Sequence, residues 1–299
     1  MKKHFRYCSI SAFIILSILL VPLAHPRDLA DATGVRVHLT DTPRRIITLA
    51  PSLGELAADL LNDQIERIIG VSDFTDYPPI LKRVESIGPY FKFNLEKVAS
   101  LRPDLILATT DGNAKDQISH LRELGLPIVV VATESLQGIE ASIELCAQAL
   151  NAQDRGKKIL EQLRKGIQNI RDRARGRIKR KIILQVGEDP LVVVGKKSFL
   201  NEAIEIIGSS NAYNDASAHY PRPSPEDILQ RNPEVIVILP MSENPMLIRK
   251  MIGRWTRFPG LMAVKNHQIK KLPGDLLLRP TLRLLEGLAL LERAVYDEK

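Results

Sequence analysis

Residues 94–108, NLEKVASLRPDLILA, have a pattern that is repeated in residues 224–239, SPEDILQRNPEVIVIL. In each copy a polar residue is placed to cap a short helix whose first turn carries a glutamate. A proline seven positions after that glutamate ends the helix, and an acidic residue and an apolar run follow. The paired positions are Glu96 with Pro103 and Glu226 with Pro233. Each copy is therefore predicted to be a short helix that leads into an interior strand.

These repeated units predict an α/β fold. Apolar runs rich in Ile, Val and Leu and bounded by a proline are typical of strands buried on both faces, as in a parallel sheet covered by helices. The copies lie 130 residues apart, which is too far for a short solenoid repeat. The spacing predicts two similar α/β lobes with central, mostly parallel sheets, joined by a long backbone helix.

The order of the remaining segments places these lobes along the chain. The predicted domains are an N-terminal lobe over 43–133, linking helices over 136–176 and a C-terminal lobe over 179–299. Within the link, helices are predicted over 136–150 and 152–175. The second helix has one apolar stripe, formed by Ile159, Leu163, Ile167 and Ile170. At 1.5 Å per residue it is about 36 Å long, which is enough to join two lobes.

The N-terminal segment has the layout of a secretory signal peptide. Lys2, Lys3 and Arg6 precede an apolar run over 10–23, and about 14 apolar residues are too few for a membrane span, which needs roughly 20. Cleavage is expected between about 24 and 32, either after Ala24 or after the triplet 30–32. The alternative is an uncleaved membrane anchor. No cysteine follows the run, so no lipid anchor is indicated and a periplasmic location is predicted.

The number of cysteines and the net charge argue against a disulfide-linked fold and against a nucleic-acid-binding function. Cleavage removes Cys8 and leaves Cys146 alone, so no intramolecular disulfide is possible. The apolar neighbours of Cys146 predict a buried structural thiol. The net charge of +7 falls to +4 without the three charges of the leader. Much of this excess lies between 155 and 181 on a predicted solvated helix face, and no nucleic-acid partner is expected.

Motifs of catalysis are absent from the sequence. It contains no GxGxxG, GxSxG, HExxH or CxxC. Ser52 and Glu55 have the spacing of a capping box, which accounts for both residues without chemistry. The histidines after the leader are scattered singly, and only His219, in the loop before the second copy, stays open as a ligand or base. No catalytic residue, metal site or cofactor is predicted.

The motifs together resemble a known family. The segments that carry the resemblance are 70–79 (GVSDFTDYPP), 94–108, 112–125 (GNAKDQISHLRELG), 224–229 (SPEDIL) and 272–280 (LPGDLLLRP). The chain is similar, from about Pro43 onward, to periplasmic substrate-binding proteins with a rigid helical backbone. These proteins deliver vitamin B12, haem and iron–siderophore complexes to ABC importers. The resemblance is greatest to the members that bind vitamin B12.

The resemblance implies two sets of functional residues. An exposed glutamate on each lobe, here Glu96 and Glu226, would dock onto arginines of a permease dimer; helix-stabilising carboxylates are the alternative. Ligand contacts would come from loops that face the cleft between the lobes. They fall on Phe74, Tyr90, Thr109, Tyr220, Asp275 and Arg279. Tyr90, Thr109 and Tyr220 stand where the B12-binding members have tryptophan, and Thr109 removes an aromatic wall.

The resemblance also implies the function. The expected activity is non-covalent binding of a corrinoid, cobalamin, in the interlobe cleft of a monomer, with delivery to an ABC permease dimer in the inner membrane. The same carrier loaded with haem or a ferric siderophore is the near alternative, although a siderophore site needs several arginines and only Arg279 and Arg222 are candidates. A periplasmic metal-dependent or chelatase-like enzyme is the alternative from another class.

Overall fold

The computed structural model describes residues 27–40, 42–242 and 244–297. Residues 1–26 of the predicted leader (1–32), with its basic residues, its apolar run and Cys8, lie outside the described residues. Within the described ranges, no helix is both long and apolar enough to span a bilayer.

The N-terminal part of the chain forms a small hairpin and a five-stranded sheet flanked by helices. The sheet has the order β5-β4-β3-β6-β7, and all of its neighbouring strands are parallel. Two short 3-10 helices cover Asn62–Arg67 and Pro79–Arg83. The elements are β1 (Arg27–Ala30), β2 (Arg36–Leu39), β3 (Ile46–Thr48), α1 (Pro51–Leu61), β4 (Ile68–Val71), β5 (Glu85–Ser86), α2 (Leu95–Ser100), β6 (Leu105–Thr109), α3 (Lys115–Glu123) and β7 (Ile128–Val131).

Two linking helices lead to a second five-stranded sheet. Its main path, β10-β8-β11-β12, is parallel, and β9 pairs antiparallel with β8. The elements are α4 (Leu136–Leu150), α5 (Gln153–Ala174), β8 (Lys181–Gly187), β9 (Val192–Val193), α6 (Phe199–Ile206), β10 (Ser210–Asn211), α7 (Pro225–Arg231), β11 (Val235–Ile238), α8 (Pro245–Trp255), α9 (Met262–Lys265), β12 (Ile269–Lys271), α10 (Gly274–Leu278) and α11 (Leu284–Tyr296). The predicted fold of two α/β lobes with a long joining helix is confirmed.

The repeated sequence corresponds to a repeated three-dimensional unit. The strand of the first copy, β6, pairs with β3 in the register Ile46↔Leu105. The strand of the second copy, β11, pairs with β8 in the register Ile182↔Val235. The acidic residue before each strand also has an equivalent partner, the backbone N–H of the residue just before the paired isoleucine. Asp104 accepts a hydrogen bond from the Arg45 backbone N–H (2.8 Å), and Glu234 accepts one from the Lys181 backbone N–H (3.0 Å).

The two lobes share one hydrophobic core through the linking helices. The predicted apolar stripe of α5 is buried, and it belongs to the same cluster as Leu107 of β6, Leu184 of β8 and Leu288 of α11. Cys146 of α4 also lies in this cluster, as expected for a structural thiol, and burial raises its pKa to about 12. A continuous packed core resists bending, so the lobes are expected to keep one relative orientation.

The N-terminal hairpin was not predicted, because its strands are short and carry charged residues. Strands β1 and β2 pair antiparallel, and Val37 and Leu39 are buried in the core. Asp31, just after β1, has a fully buried side chain that forms an ion pair with Arg122. Its carboxylate also accepts hydrogen bonds from the backbone N–H groups of Thr33 (2.9 Å), Val35 (3.1 Å) and Val130 (3.2 Å). The hairpin is thereby tied to α3 and β7.

Asp31→Ala is expected to lower the free energy of unfolding by about 3 kcal/mol, because it leaves the Arg122 guanidinium and the Val130 N–H without their buried partner. Urea unfolding of the protein that begins before β1 measures this change. Asp28→Ala is the control, since Asp28 is half exposed and pairs only with the exposed His38. Equal effects of the two substitutions would show that Asp31 does not anchor the hairpin.

Candidate functional site

All six residues proposed as ligand contacts lie at the carboxyl edges of the two sheets. Parallel strands end at the same edge of a sheet, and this edge is where ligands bind in open α/β folds. Phe74, Tyr90 and Thr109 follow or end strands of the N-terminal sheet, and Tyr220, Asp275 and Arg279 follow strands of the C-terminal sheet. The contacts between particular residues show which of these side chains come together.

In the N-terminal lobe, Asn113 holds together the loops that carry Tyr90 and Thr109. Its buried side chain donates to the carbonyls of Leu49 (2.8 Å) and Tyr90 (2.7 Å) and accepts from the Thr109 backbone N–H (2.8 Å). The Thr109 side chain is buried, and its hydroxyl accepts from the Asp111 backbone N–H (3.1 Å). Thr109 therefore stabilises the turn beneath the cleft surface and presents no wall to it.

The Tyr90 ring lies over this turn. Gly112 beneath it has φ +98°, and a Cβ at this position would lie 2.5 Å from a ring carbon of Tyr90. Glycine is therefore required here by both the backbone angle and the close approach of the ring. The ring also makes an edge-on contact with Phe91, with the centroids 5.4 Å apart. The position of Tyr90 is thus determined by the turn that follows β6.

The two lobes face each other at a group of polar side chains. Desolvation raises the pKa of Tyr220, and the negative charge of Asp111 raises it further. Desolvation also raises the pKa of Asp111; the charge of Glu134 adds to this, and His219 acts in the opposite direction. The charge of a Tyr90 phenolate is the smallest of the causes that raise the pKa of Tyr220. Asp111 and Tyr90 of the N-terminal lobe thus contribute to the electrostatic surroundings of Tyr220 in the C-terminal lobe.

Arg279 lies between the lobes and has several partners. Its Nη1 donates to Glu55 Oε1 (2.5 Å) and Asp76 Oδ1 (2.7 Å), and its Nη2 donates to the carbonyl of Phe74 (3.0 Å). Asp275 is likewise engaged, because its Oδ2 accepts from Arg283 Nη2 (2.8 Å). Both arginines of this group are thus paired with carboxylates. We refer to Arg279, Arg283 and their carboxylate partners as the Arg279 corner.

Glu55 is a residue whose role the sequence interpretation missed. The predicted capping box is wrong, because α1 begins at Pro51 after Ala50, and no side chain caps it. Ser52 thus lies inside the helix, and Glu55 is turned into the protein with a side chain 1% exposed. No local signal could identify its partners, which lie more than 220 residues further along the chain. Asn113, Asp111 and Glu134 were missed for the same reason.

The two glutamates of the repeated motif occupy equivalent positions. Asn94 Oδ1 accepts from the Lys97 backbone N–H (2.9 Å) at the start of α2, and Ser224 Oγ accepts from the Asp227 backbone N–H (3.2 Å) at the start of α7. The predicted N-caps are therefore confirmed. Glu96 and Glu226 are both exposed, and each is the second residue of its helix. Hydrogen bonds from its own backbone N–H and from Ser224 lower the pKa of Glu226.

The charged neighbours of these glutamates are neutralised locally. Lys97 pairs with Glu85 in one lobe, and Asp227 pairs with Arg231 (2.9 Å) in the other. Neither Glu96 nor Glu226 forms an ion pair with another residue of the described ranges. Each lobe therefore presents one uncompensated carboxylate at the start of a short helix.

Across the residues placed by the structure, no three His, Cys, Asp or Glu side chains are grouped so that they could hold a metal ion. His219 is exposed and faces the group that contains Asp111.

Comparison with known proteins gives a consistent result. Residues 46–276 match the family model described as periplasmic binding protein. An uncharacterized ABC transporter substrate-binding lipoprotein, YvrC of Bacillus subtilis, is 28% identical over 281 residues, which are 91% of this chain and 86% of that protein.

Solved structures are similar over nearly the same range. The crystal structure of the periplasmic vitamin B12 binding protein BtuF of Vibrio cholerae is 30% identical, with a TM-score of 0.73, and the match covers 84% of this chain and 96% of that one. The periplasmic haem-binding protein RhuT from Roseiflexus sp. RS-1, in its apo form, is 25% identical, with a TM-score of 0.76, over 85% of this chain and 98% of that one.

Proposed function

Because the chain belongs to the periplasmic binding protein family, we propose that it binds a corrinoid, cobalamin, in the cleft between its lobes and passes it to the permease of an ABC importer. The chain is a substrate-binding protein of the class that includes B12- and haem-binding proteins of ABC transport systems. The ligand, the contact residues, the docking residues and the monomeric state are parts of the proposal.

The observation that carries the ligand assignment is the pair of tyrosines on opposite lobes. The Tyr90 ring lies over the turn that follows β6 in the N-terminal lobe, and Asp111 of that turn contributes to the electrostatic surroundings of Tyr220 in the C-terminal lobe. The ring of Phe74 is 71% exposed at the same edge of the N-terminal sheet. Flat aromatic faces from two sides suit a broad planar macrocycle, which they contact over a large apolar area.

The charge pattern of the Arg279 corner favours a corrinoid over haem. Haem carries two propionates, which are best held by free guanidinium groups. Here Arg279 and Arg283 are both paired with carboxylates, Glu55, Asp76 and Asp275. The rim of a corrin ring carries neutral amides, which can hydrogen-bond to carboxylates and to the remaining N–H groups of Arg279. Haem is the second candidate, because RhuT, a haem-binding protein, is similar to this chain.

Transport requires a surface for the permease, and we assign it to Glu96 and Glu226. Each carboxylate lies in the first turn of a helix, where the dipole favours a negative charge, and can pair with an arginine through two hydrogen bonds. The equivalent positions on two similar lobes suit two equivalent subunits of a permease dimer.

The hairpin supports one of the two cleavage sites considered for the leader. Cleavage after Ala32 would remove β1 and the buried Asp31. We therefore propose cleavage after Ala24, and from the layout of the leader we propose release into the periplasm.

Calorimetric titration of the mature protein with cyanocobalamin, cobinamide and haemin in parallel tests the ligand. We expect one-to-one binding of the two corrinoids, at least tenfold tighter than that of haemin. Tighter binding of haemin, or binding of none of the three, would refute the corrinoid assignment and leave the family membership intact. Turnover of a tetrapyrrole during incubation would instead indicate an enzyme.

A further inference from the structure

A buried carboxylate joins the two lobes beside the cleft. Glu55, on α1, accepts hydrogen bonds from Arg279 Nη1 (2.5 Å), Arg283 Nη1 (3.2 Å) and the Thr281 hydroxyl (3.2 Å). All three donors lie between α10 and the start of α11, at the end of the C-terminal lobe. Burial raises the pKa of Glu55, and the hydrogen bond from Arg279 opposes this by favouring the charged form.

Arg279 continues this connection to the loop that carries Phe74. Besides Glu55, its guanidinium binds Asp76 Oδ1 (2.7 Å) and the carbonyl oxygen of Phe74 (3.0 Å). Phe74 has φ +66°, a left-handed backbone angle that is costly for a bulky residue. Its ring is 71% exposed. The loop thus holds an aromatic ring outward in a backbone conformation that needs external support.

A second arginine, Arg283, also contacts the loop of residues 73–78. Arg283 stacks on the ring of Tyr77, with its guanidinium carbon 4.0 Å from the ring centroid, and it also binds Asp275. Glu55 is the group that both arginines share. Loss of this one carboxylate would therefore loosen both arginines that contact residues 73–78, although each keeps its other partners.

We propose that Glu55 is a positioning residue for ligand binding: through Arg279 it fixes the loop of residues 73–78 so that the Phe74 ring is presented to the cleft. The inference rests on the proposed function in one respect, that Phe74 contacts the bound ligand. It assigns to Arg279 a second task besides any direct contact with the ligand.

A matched ion pair elsewhere in the chain provides the control. Glu292 of α11 is also buried, with a side chain 8% exposed, and it binds Arg173 (2.6 Å) and Arg177 (2.9 Å) near the end of α5. Neither arginine contacts the loop of residues 73–78. Glu292→Gln therefore removes a similar buried charge with two arginine partners and leaves Phe74 unaffected.

The experiment compares Glu55→Gln, Glu292→Gln, Phe74→Ala and the double variant Glu55→Gln with Phe74→Ala in the full mature chain. Stopped-flow and calorimetric titration use cyanocobalamin as the probe. We expect Glu55→Gln to weaken binding on the order of tenfold, through faster dissociation, and Glu292→Gln to change it less than twofold. In the Phe74→Ala background, Glu55→Gln should add almost nothing, because its effect acts through that ring.

Two results would overturn the inference: unchanged affinity in Glu55→Gln, or full additivity of Glu55→Gln with Phe74→Ala. If Glu55→Gln does not fold, Asp76→Asn replaces it, because Asp76 is half exposed and its substitution weakens one of the two contacts between Arg279 and the loop.

Hydrogen exchange without ligand separates this inference from the proposed function. Amides of residues 73–78 should exchange faster in Glu55→Gln than in Glu292→Gln even if cyanocobalamin does not bind at all. Equal exchange in the two variants would refute the positioning role independently of the ligand.

Discussion

Alanine at both Glu96 and Glu226 is expected to abolish uptake of the ligand while the affinity of the purified protein for that ligand stays within twofold of the original. Both carboxylates are exposed, and neither belongs to the cleft or to an ion pair within the described ranges. Their loss removes two charge-assisted pairings with the permease, each of which can contribute several kcal/mol when buried at an interface. Uptake by cells that carry the importer, and titration of the purified variant, measure the two effects separately.

A double variant at two other exposed glutamates tests whether the change in net charge alone lowers uptake. Glu66 and Glu161 are exposed glutamates away from α2 and α7, and their double alanine variant changes the net charge equally. This control should transport normally. Each single variant at Glu96 or Glu226 should retain part of the uptake, because one lobe can still dock. Loss of ligand affinity in the double variant would instead show that these residues serve the fold or the pocket.

Alanine at both Tyr90 and Tyr220 is expected to weaken corrinoid binding by about a thousandfold. Aromatic residues that anchor a ligand commonly contribute about 2 kcal/mol each, or roughly thirtyfold in affinity, because they bury a large apolar face. The two rings come from different lobes and would contact the ligand from two sides, so the two losses should roughly add unless the shared ligand couples them. Titration with cyanocobalamin measures the loss.

Phenylalanine at the same positions is the matched control. It keeps the ring and removes the hydroxyl, which in Tyr220 accepts a long hydrogen bond from Ser198 Oγ (3.4 Å). These variants should bind within about threefold of the original protein if the ring faces carry the affinity. A large loss with phenylalanine would mean that the hydroxyl groups bind the ligand, and a small loss with alanine would remove both tyrosines from the site. Thermal unfolding should be similar across the set.

The duplicated architecture was predictable because its signals are local. An N-cap residue, a proline and an apolar run determine a helix, a stop and a buried strand within about 15 residues. Asn94 and Ser224 do cap their helices, and the strands that follow pair in equivalent registers. Irregular parts were harder to predict. The hairpin at Arg27–Leu39, the short strands β10 and β12 and the short helix α10 lack a sustained apolar period, and contacts with the rest of the protein stabilise them.

The candidate site could be located from the sequence only through family resemblance. Resemblance predicted six ligand contacts in loops that face the cleft; these residues follow or end strands of the two sheets, and their contact with a ligand stays a prediction. Resemblance could not predict what each side chain does. Thr109 is buried beneath its turn, Arg279 is shared between two carboxylates and a carbonyl, and the Tyr90 ring lies over Gly112.

The sequence by itself determined two helix–strand units, two parallel sheets and a long joining helix, because hydrophobic period, capping and proline act over short stretches of chain. Tertiary structure alone decided which distant side chains meet. Glu55 has the spacing of a capping residue, yet its partner Arg279 lies 224 residues away, and burial between the lobes makes that pairing its role. Such a contact has no local signal, because its free energy comes from desolvation and charge in a site that exists only after the chain has folded.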